Sequence, residues 1–317
     1  MARSQPRIGL ALSGGGFRAA AFHIGVIKTL YDLGLYTSIR FVSSVSGGAI
    51  VGAAIGLNQD RTVLDLLEVY LMNHSPLGSS FLRGLFDFSH TRTDKLADSY
   101  DEALYHGARL SDLKGFKTVI NSVSATTGHP FYFEGGNAKA RLGEYETGFV
   151  SADSFSVARA VAASGAYPVF LSPLELTSSE YSPARTFLVD GGVYDNLGIH
   201  SLLREEDLDL LIVSDAGAPL RRNETPGDGV FAIESTMDIM MEQMRGMQIQ
   251  RLTHLEKGKR AIWFSIDSKG EGDNAEICSR IPTGLSALPR NDLSILQRHA
   301  ETLLRARLSA YAPEWIS

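Results

Sequence analysis

Twice within its first 57 residues the chain passes through the same succession of a short apolar run, a glycine-rich turn and a helix of small residues. "RIGLALS" reads as a buried strand, Gly14, Gly15 and Gly16 turn the chain, and "FRAAAFHIGVIKTLYDLG" carries helical periodicity that closes on Gly34. "IRFVSS" and "GGAIVGAAIGL" then supply a second strand and a second helix. Strand, turn and helix in this rhythm make an α/β sheet. Further strands are expected at "KTVINSVSA", "PFYFEG", "RTFLVD", "LDLLIVSD" and "RAIWFSID", with helices near Phe155–Ala163, Val230–Arg251 and Leu293–Leu308. The sequence carries no repeat, low-complexity tract or long linker, and "PLRRNETPGDG" reads as a surface loop, so residues 7–317 are expected to form one domain.

At 317 residues, 44% of them hydrophobic, the chain can bury a large core. The net charge is -6, and no run of Lys and Arg interleaves with aromatic residues, which argues against a nucleic-acid polymer as partner. Cys278 stands alone, so neither an internal disulfide nor a cysteine metal site is possible, and a reducing cytoplasm is the expected compartment. The eight histidines are scattered and lack H-E-x-x-H spacing, so neither a metal nor a cofactor is expected. Arg3 and Arg7 before "IGLAL" imitate a signal peptide, but Gly14–Gly16 and Arg18 interrupt the apolar stretch after five residues. "AIVGAAIGL" is also far too short to cross a bilayer, so any membrane contact is expected to be peripheral.

Three segments carry possible chemistry. The "SGGGFR" turn, Ser13 to Arg18, opens a helix, where glycines let several N–H groups converge and the helix dipole favours negative charge. A phosphate cradle fits poorly, because the spacing is neither G-x-x-x-x-G-K-[ST] nor G-x-G-x-x-G; an oxyanion hole or a plain tight turn fits better. In "RFVSSVSGGAIVG", Ser46 stands between strand and helix with small residues two places to either side, Ser44 and Gly48. That suits a nucleophile elbow, although a helix N-cap serine would read the same way. In "FLVDGGVYDNLGI", Asp190 ends an apolar strand before Gly191 and Gly192. Desolvation there raises a carboxylate's pKa and makes it a stronger base, while an Asp opening an ordinary turn is the simpler reading.

Taken together, "GGGFR", "SVSGG" and "DGG", in that order and each in its strand context, resemble the patatin-like phospholipases. "NSVSATTGHPFYF" and "ARAVAASGAYPVF" extend the likeness over Arg7 to Asp215, with a helical and strand extension at 228–317. The resemblance implies a three-layer α/β/α domain with a mostly parallel central sheet, and a serine–aspartate dyad that hydrolyses fatty-acyl esters of membrane phospholipids. Ser46 would be the nucleophile and Asp190 the base, with Gly14, Gly15 and Gly16 as the oxyanion hole and Arg18, Gly48, Gly191 and Gly192 in support. Two positions depart from the family pattern: Ser44 replaces the first elbow glycine, and Ala19 follows the arginine where glycine is frequent. The chain order Ser46, Asp190, His200 also permits a Ser-His-Asp triad, but His200 in "NLGIHSLL" reads as a capping or solvent residue, and His23 as structural. A catalytically degenerate binding protein and an acyltransferase are the alternative functions.

"SPLGSSFLRGLFDFSH", Ser75 to His90, collects apolar residues between glycines and serines, as a lid or a capping helix would. "STMDIMMEQMRGMQIQRL" holds five of the seven methionines at helical spacing, which reads first as core packing and second as a pliant lipid surface. Bacterial-type patatin-like proteins of this length include CBASS-type antiphage effectors that degrade phospholipid on a cyclic oligonucleotide signal. The resemblance thus extends to such an activator, acting through lid opening or assembly of a homo-oligomer.

Overall fold

In a computed structural model the chain is described over residues 5–76, 78, 91–168, 170–177, 179–181, 185–217, 229–255, 259–269 and 274–316. The lid candidate at 75–90 and the loop at 219–229 fall almost wholly outside these residues.

The two opening units fold as read. β1 (Ile8–Leu12) leads into α1 (Gly16–Asp32), and β2 (Ile39–Val45) into α2 (Gly47–Leu57). Each helix returns the chain for a parallel strand, so β1 and β2 pair in parallel, and β3 (Lys117–Ser124), β9 (Leu210–Asp215) and β10 (Arg260–Ser265) extend that half in the order β10-β9-β1-β2-β3. Beyond β3 the sheet turns antiparallel through the hairpin strands β4 (Pro130–Gly135), β5 (Arg141–Glu144) and β6 (Gly148–Ser151). β7 (Leu174–Thr177) pairs antiparallel with β8 (Arg185–Asp190), and β8 pairs antiparallel with β3. The sheet is therefore mixed: parallel from β10 to β3, and antiparallel from β3 to β6 and where β8 joins β3 and β7.

Side chains alternate across the sheet and build a core on each face. Leu10, Leu12, Val42, Ile120, Ile212 and Phe264 face the larger core, with α1, α2 and α10 (Arg290–Tyr311). Ala11, Phe41, Val119, Leu211 and Val213 face a smaller one, closed by Leu197, Ile199 and Leu202 around the short helices α6 (Gly192–Asp195) and α7 (Ile199–Leu202). α1 is buried on nearly every side, because α2, α3 (Thr62–Asn73) and α10 cover what the sheet does not. α4 (Arg92–Tyr100) packs on α5 (Val157–Ser164), α8 (Val230–Arg251) on α6, and α9 (Ala275–Arg280) precedes α10. Cys278 on α9 is buried and its thiol is pushed up to about 12, so it behaves as a small apolar side chain.

Candidate active site

One edge of β3 decides which residues meet. β4 occupies the other edge over Thr118–Val123, so β2 and β8 must share the remaining one. β2 runs along it until Val45 lies opposite Asn121, and β8 arrives from the opposite direction until Asp190 lies opposite Ser122. The two strands end head to head, which brings Ser46, the residue after Val45, to Asp190 across 144 positions of sequence.

Ser46 sits in a sharp elbow with φ 50° and ψ -116°, a backbone conformation that costs a non-glycine residue roughly 1–3 kcal/mol and must be held by its surroundings. Its N–H donates to Ser164 Oγ (2.8 Å), and that hydroxyl donates to the Asn121 carbonyl (2.6 Å). The next strand along thus props the elbow. Gly48 is needed because a Cβ there would lie 2.3 Å from the Leu12 carbonyl oxygen, which lets α2 start directly against β1. Ser44, the departure from the family pattern, is fully buried and donates to the Val119 carbonyl (3.3 Å). Its side chain fills space that Gly52 leaves open, since a Cβ on Gly52 would stand 2.6 Å from Ser44 Oγ.

The glycine turn lies beside this elbow, with Gly14 held against the Ser46 side chain. Gly14 donates its N–H to the Asn196 carbonyl (3.0 Å), and Phe17 donates to the Gly284 carbonyl (2.7 Å). Gly15 and Gly16 lie between them at φ 135° and 61°, and among the described residues their N–H groups meet no backbone acceptor. These two, at the start of a 17-residue helix, are the donors available to an anion. Arg18 is buried rather than solvent-facing: its guanidinium donates to the carbonyls of Ile281 (2.9 Å) and Ala216 (3.0 Å), clamping the turn to the end of β9. His23 braces the same turn, with Nε2 2.9 Å from the Ser13 carbonyl and Nδ1 2.9 Å from Ser214 Oγ; burial lowers its pKa to about 4, so it stays neutral.

The Asp190 carboxylate is buried and accepts the Gly192 N–H (2.7 Å), and the nearby Ser46 hydroxyl favours its charged form. Burial pushes it up to about 7, and the Gly192 N–H and the Ser46 hydroxyl pull the other way. Gly191 lies so close to β3 that a Cβ would come 2.4 Å from the Asn121 carbonyl oxygen. Asn196 went unnoticed in the sequence, yet it joins both glycine segments: its carbonyl holds Gly14, and its side chain fills the space beside Gly14 and Gly192. Ser164 and Asn121 were also missed. Their only sequence signal was a small polar residue inside an otherwise apolar helix or strand.

Neither His23 nor His200 hydrogen-bonds to Ser46 or Asp190. His200 Nδ1 instead meets the Tyr132 hydroxyl (2.6 Å), its backbone N–H donates to Asp195 Oδ2 (2.6 Å), and burial lowers its imidazole pKa to about 4. Asp195, raised to about 6 by burial, also accepts the N–H groups of Leu197 and Gly198, so it caps the loop. Among the described residues one group could hold a cation: His129, Glu144 and Glu146, whose ligand atoms lie within 4.8 Å of one another. It sits at the β3–β4 and β5–β6 turns, not at the strand ends that carry Ser46 and Asp190. The methionine helix departs from the expected core role: Met240 and Met247 on α8 are exposed, while Met241 lies against Gly192.

The model of the patatin-like phospholipase family matches residues 10–203. Probable lysophospholipase 3 of Schizosaccharomyces pombe is 27% identical over 221 residues, 63% of this chain and 30% of that protein. Human GIVD cytosolic phospholipase A2 gives a TM-score of 0.63 at 13% identity, covering 98% of this chain and 60% of that one. Its complex with methyl gamma-linolenyl fluorophosphonate and terbium chloride gives 0.62 at 14%, covering 98% and 59%. The likeness to these structures is one of fold. The chain spans under a third of the yeast relative's length and about three fifths of the human one.

Two outcomes follow from the packing and the charge. Gly52→Ala is expected to cost about 1–3 kcal/mol in urea unfolding by overpacking Ser44, and Ser44→Gly/Gly52→Ala to recover most of it, since Val42 at 3.6 Å is then the nearest contact. The folded chain holds a proton on Asp190 up to about 7 that the unfolded chain releases near 3.8, so this group makes stability fall as pH rises between those values. Asp190→Asn is therefore expected to raise stability at pH 8 by about 2–4 kcal/mol, and to change it little at pH 3.

Proposed function

Because the chain belongs to the patatin-like phospholipase family, with its family model matching residues 10–203, we propose that it hydrolyses lipid acyl esters through a dyad of Ser46 and Asp190. The observation that carries this reading is the meeting of two strand ends, which sets a strained elbow serine against the buried Asp190 carboxylate, itself raised by burial to about 7. As Ser46 Oγ bonds to the ester carbonyl carbon, its proton passes to Asp190. The carbonyl oxygen gains the negative charge, for which the Gly15 and Gly16 N–H groups supply donors. When the tetrahedral species collapses, the alcohol leaves with the proton from Asp190, and Ser46 keeps the acyl group. Water then attacks, gives a proton to Asp190, and the fatty acid departs as that proton returns to Ser46. Gly14, tied to Asn196, shapes the turn rather than donating to the oxyanion.

The relatives' names, a lysophospholipase and a cytosolic phospholipase A2, support a phospholipid or lysophospholipid as substrate, met by peripheral contact. No helix among the described residues is long and apolar enough to cross a membrane. Transfer to an acceptor other than water would use the same acyl-enzyme. Gating by a cyclic oligonucleotide rests on sequence resemblance alone.

Fatty-acid release from mixed phospholipid vesicles tests the reading. Wild type is expected to release fatty acid, Ser46→Ala to fall at least about a thousandfold, and the rate to rise tenfold per pH unit below about 7 as Asp190 ionises, then level off. Equal release by Ser46→Ala would sink the assignment. Adding cyclic di- and trinucleotides to the same assay tests the gate, which predicts stimulation by one of them.

A further inference from the structure

The helix over the aspartate loop wears its polarity inside out. On the inward side of α8, Arg245 pairs with the buried Asp215 (2.7 Å), Gln248 donates to the Tyr194 carbonyl (3.1 Å), and Met241 touches Gly192. The outward row reads Ile233, Thr236, Met240, Gln243, Met247, Gln250, at spacings of three and four, and contains no charge. Ile233, Met240 and Met247 are 55, 63 and 54% exposed, and Ile239 beside the row is 48% exposed. A surface helix ordinarily turns such residues inward and its charges to water. An outward apolar row of this length marks a contact surface.

The row does not end in neutral surroundings. Met247 and Gln250 also line a cavity of about 520 Å³ whose wall carries Arg251, His254 and Lys259 against one carboxylate, Glu205. That carboxylate is already paired with Lys117 (2.5 Å), which leaves the cavity wall positive in a chain of net charge -6. An apolar stripe running into a cationic end complements an anionic bilayer, with methionine and isoleucine among the acyl chains and cations at the phosphates. A second copy of the chain would bring an equal positive charge to the same place.

We infer that the outward face of α8 is the surface by which the enzyme docks on anionic phospholipid bilayers, with Arg251, His254 and Lys259 meeting the headgroup phosphates. The inference rests on the acyl-hydrolase reading of the site and adds where the bilayer sits: against the helix that covers the Asp190 loop. Docking there places the lipid beside the site without a membrane-spanning segment.

Vesicle flotation separates this inference from the catalytic one. Full-length protein is expected to float with phosphatidylglycerol-containing vesicles and to be released by high salt. Met240→Glu/Met247→Glu is expected to weaken flotation and vesicle hydrolysis by about tenfold or more, because two carboxylates would have to enter the interface. The same variant should keep its melting temperature and its hydrolysis of the soluble ester p-nitrophenyl butyrate. Arg251→Glu/Lys259→Glu is expected to reduce flotation with anionic vesicles selectively. Undiminished flotation of the methionine variant overturns the docking face, as does a wild-type dimer that this variant splits while vesicles bind neither. Flotation that follows the expected pattern with no ester hydrolysed would uphold the docking face and reject the catalytic reading.

Discussion

Two strands cannot hydrogen-bond to the same stretch of one sheet edge, and β2 and β8 divide one edge of β3 between them. Where one stops, the other must stop as well, so their ends face each other. The elbow at Ser46 and the turn at Asp190 are consequences of that boundary, because each chain has to leave the sheet within a residue or two. Asn121 and Ser122 on β3 serve both sides. The Asn121 side chain donates to the Ser44 carbonyl (2.8 Å), its own carbonyl accepts the Ser164 hydroxyl, and the Ser122 hydroxyl donates to the Val189 carbonyl (2.7 Å). A rigid strand therefore sets the distance between Ser46 and Asp190, the kind of positioning that the proposed dyad requires.

Charge at the site is arranged by exclusion. Asp190 has no cationic partner among its hydrogen bonds; its carboxylate accepts one backbone N–H, and burial raises it to about 7. Asp215, at the end of β9, is equally buried but pairs with Arg245, which opposes the upward push of burial. Two aspartates at strand ends thus differ: Asp215 ties α8 to the sheet through Arg245, while Asp190 has no such ion pair among the described residues, as the proposed role of a base requires. The neutral His23 behind the glycine turn fits the same scheme, because it hydrogen-bonds the turn without adding a positive charge there.

Much of this was legible in the sequence for a local reason. The strands, the two opening helices and the three motifs are each encoded within a dozen residues, so apolar runs, glycines and Asp-Gly signals reveal them. β5, β6 and β7 were not read, because four-residue strands such as "RLGE" and "GFVS" carry too little periodicity. α3 and α4 were missed for a different reason: polar and charged residues dilute their apolar stripes. The antiparallel half of the sheet and the roles of Asn121, Ser164 and Asn196 depend on contacts between distant segments. The exchange of space between Ser44 and Gly52 shows the same limit: the serine looked like a defect until the helix above it was in place. The methionine helix misled because its period gives a face but not a direction; Arg245, drawn inward by Asp215, turns the apolar row outward.

The most direct measurement of the central claim is the site and rate of covalent labelling by a fluorophosphonate probe, read by mass spectrometry. The account predicts a single adduct on Ser46, formed far more slowly in Asp190→Asn and at an unchanged rate in His200→Ala. An adduct on another serine, or labelling of Ser46 that needs His200 and ignores Asp190, would contradict it.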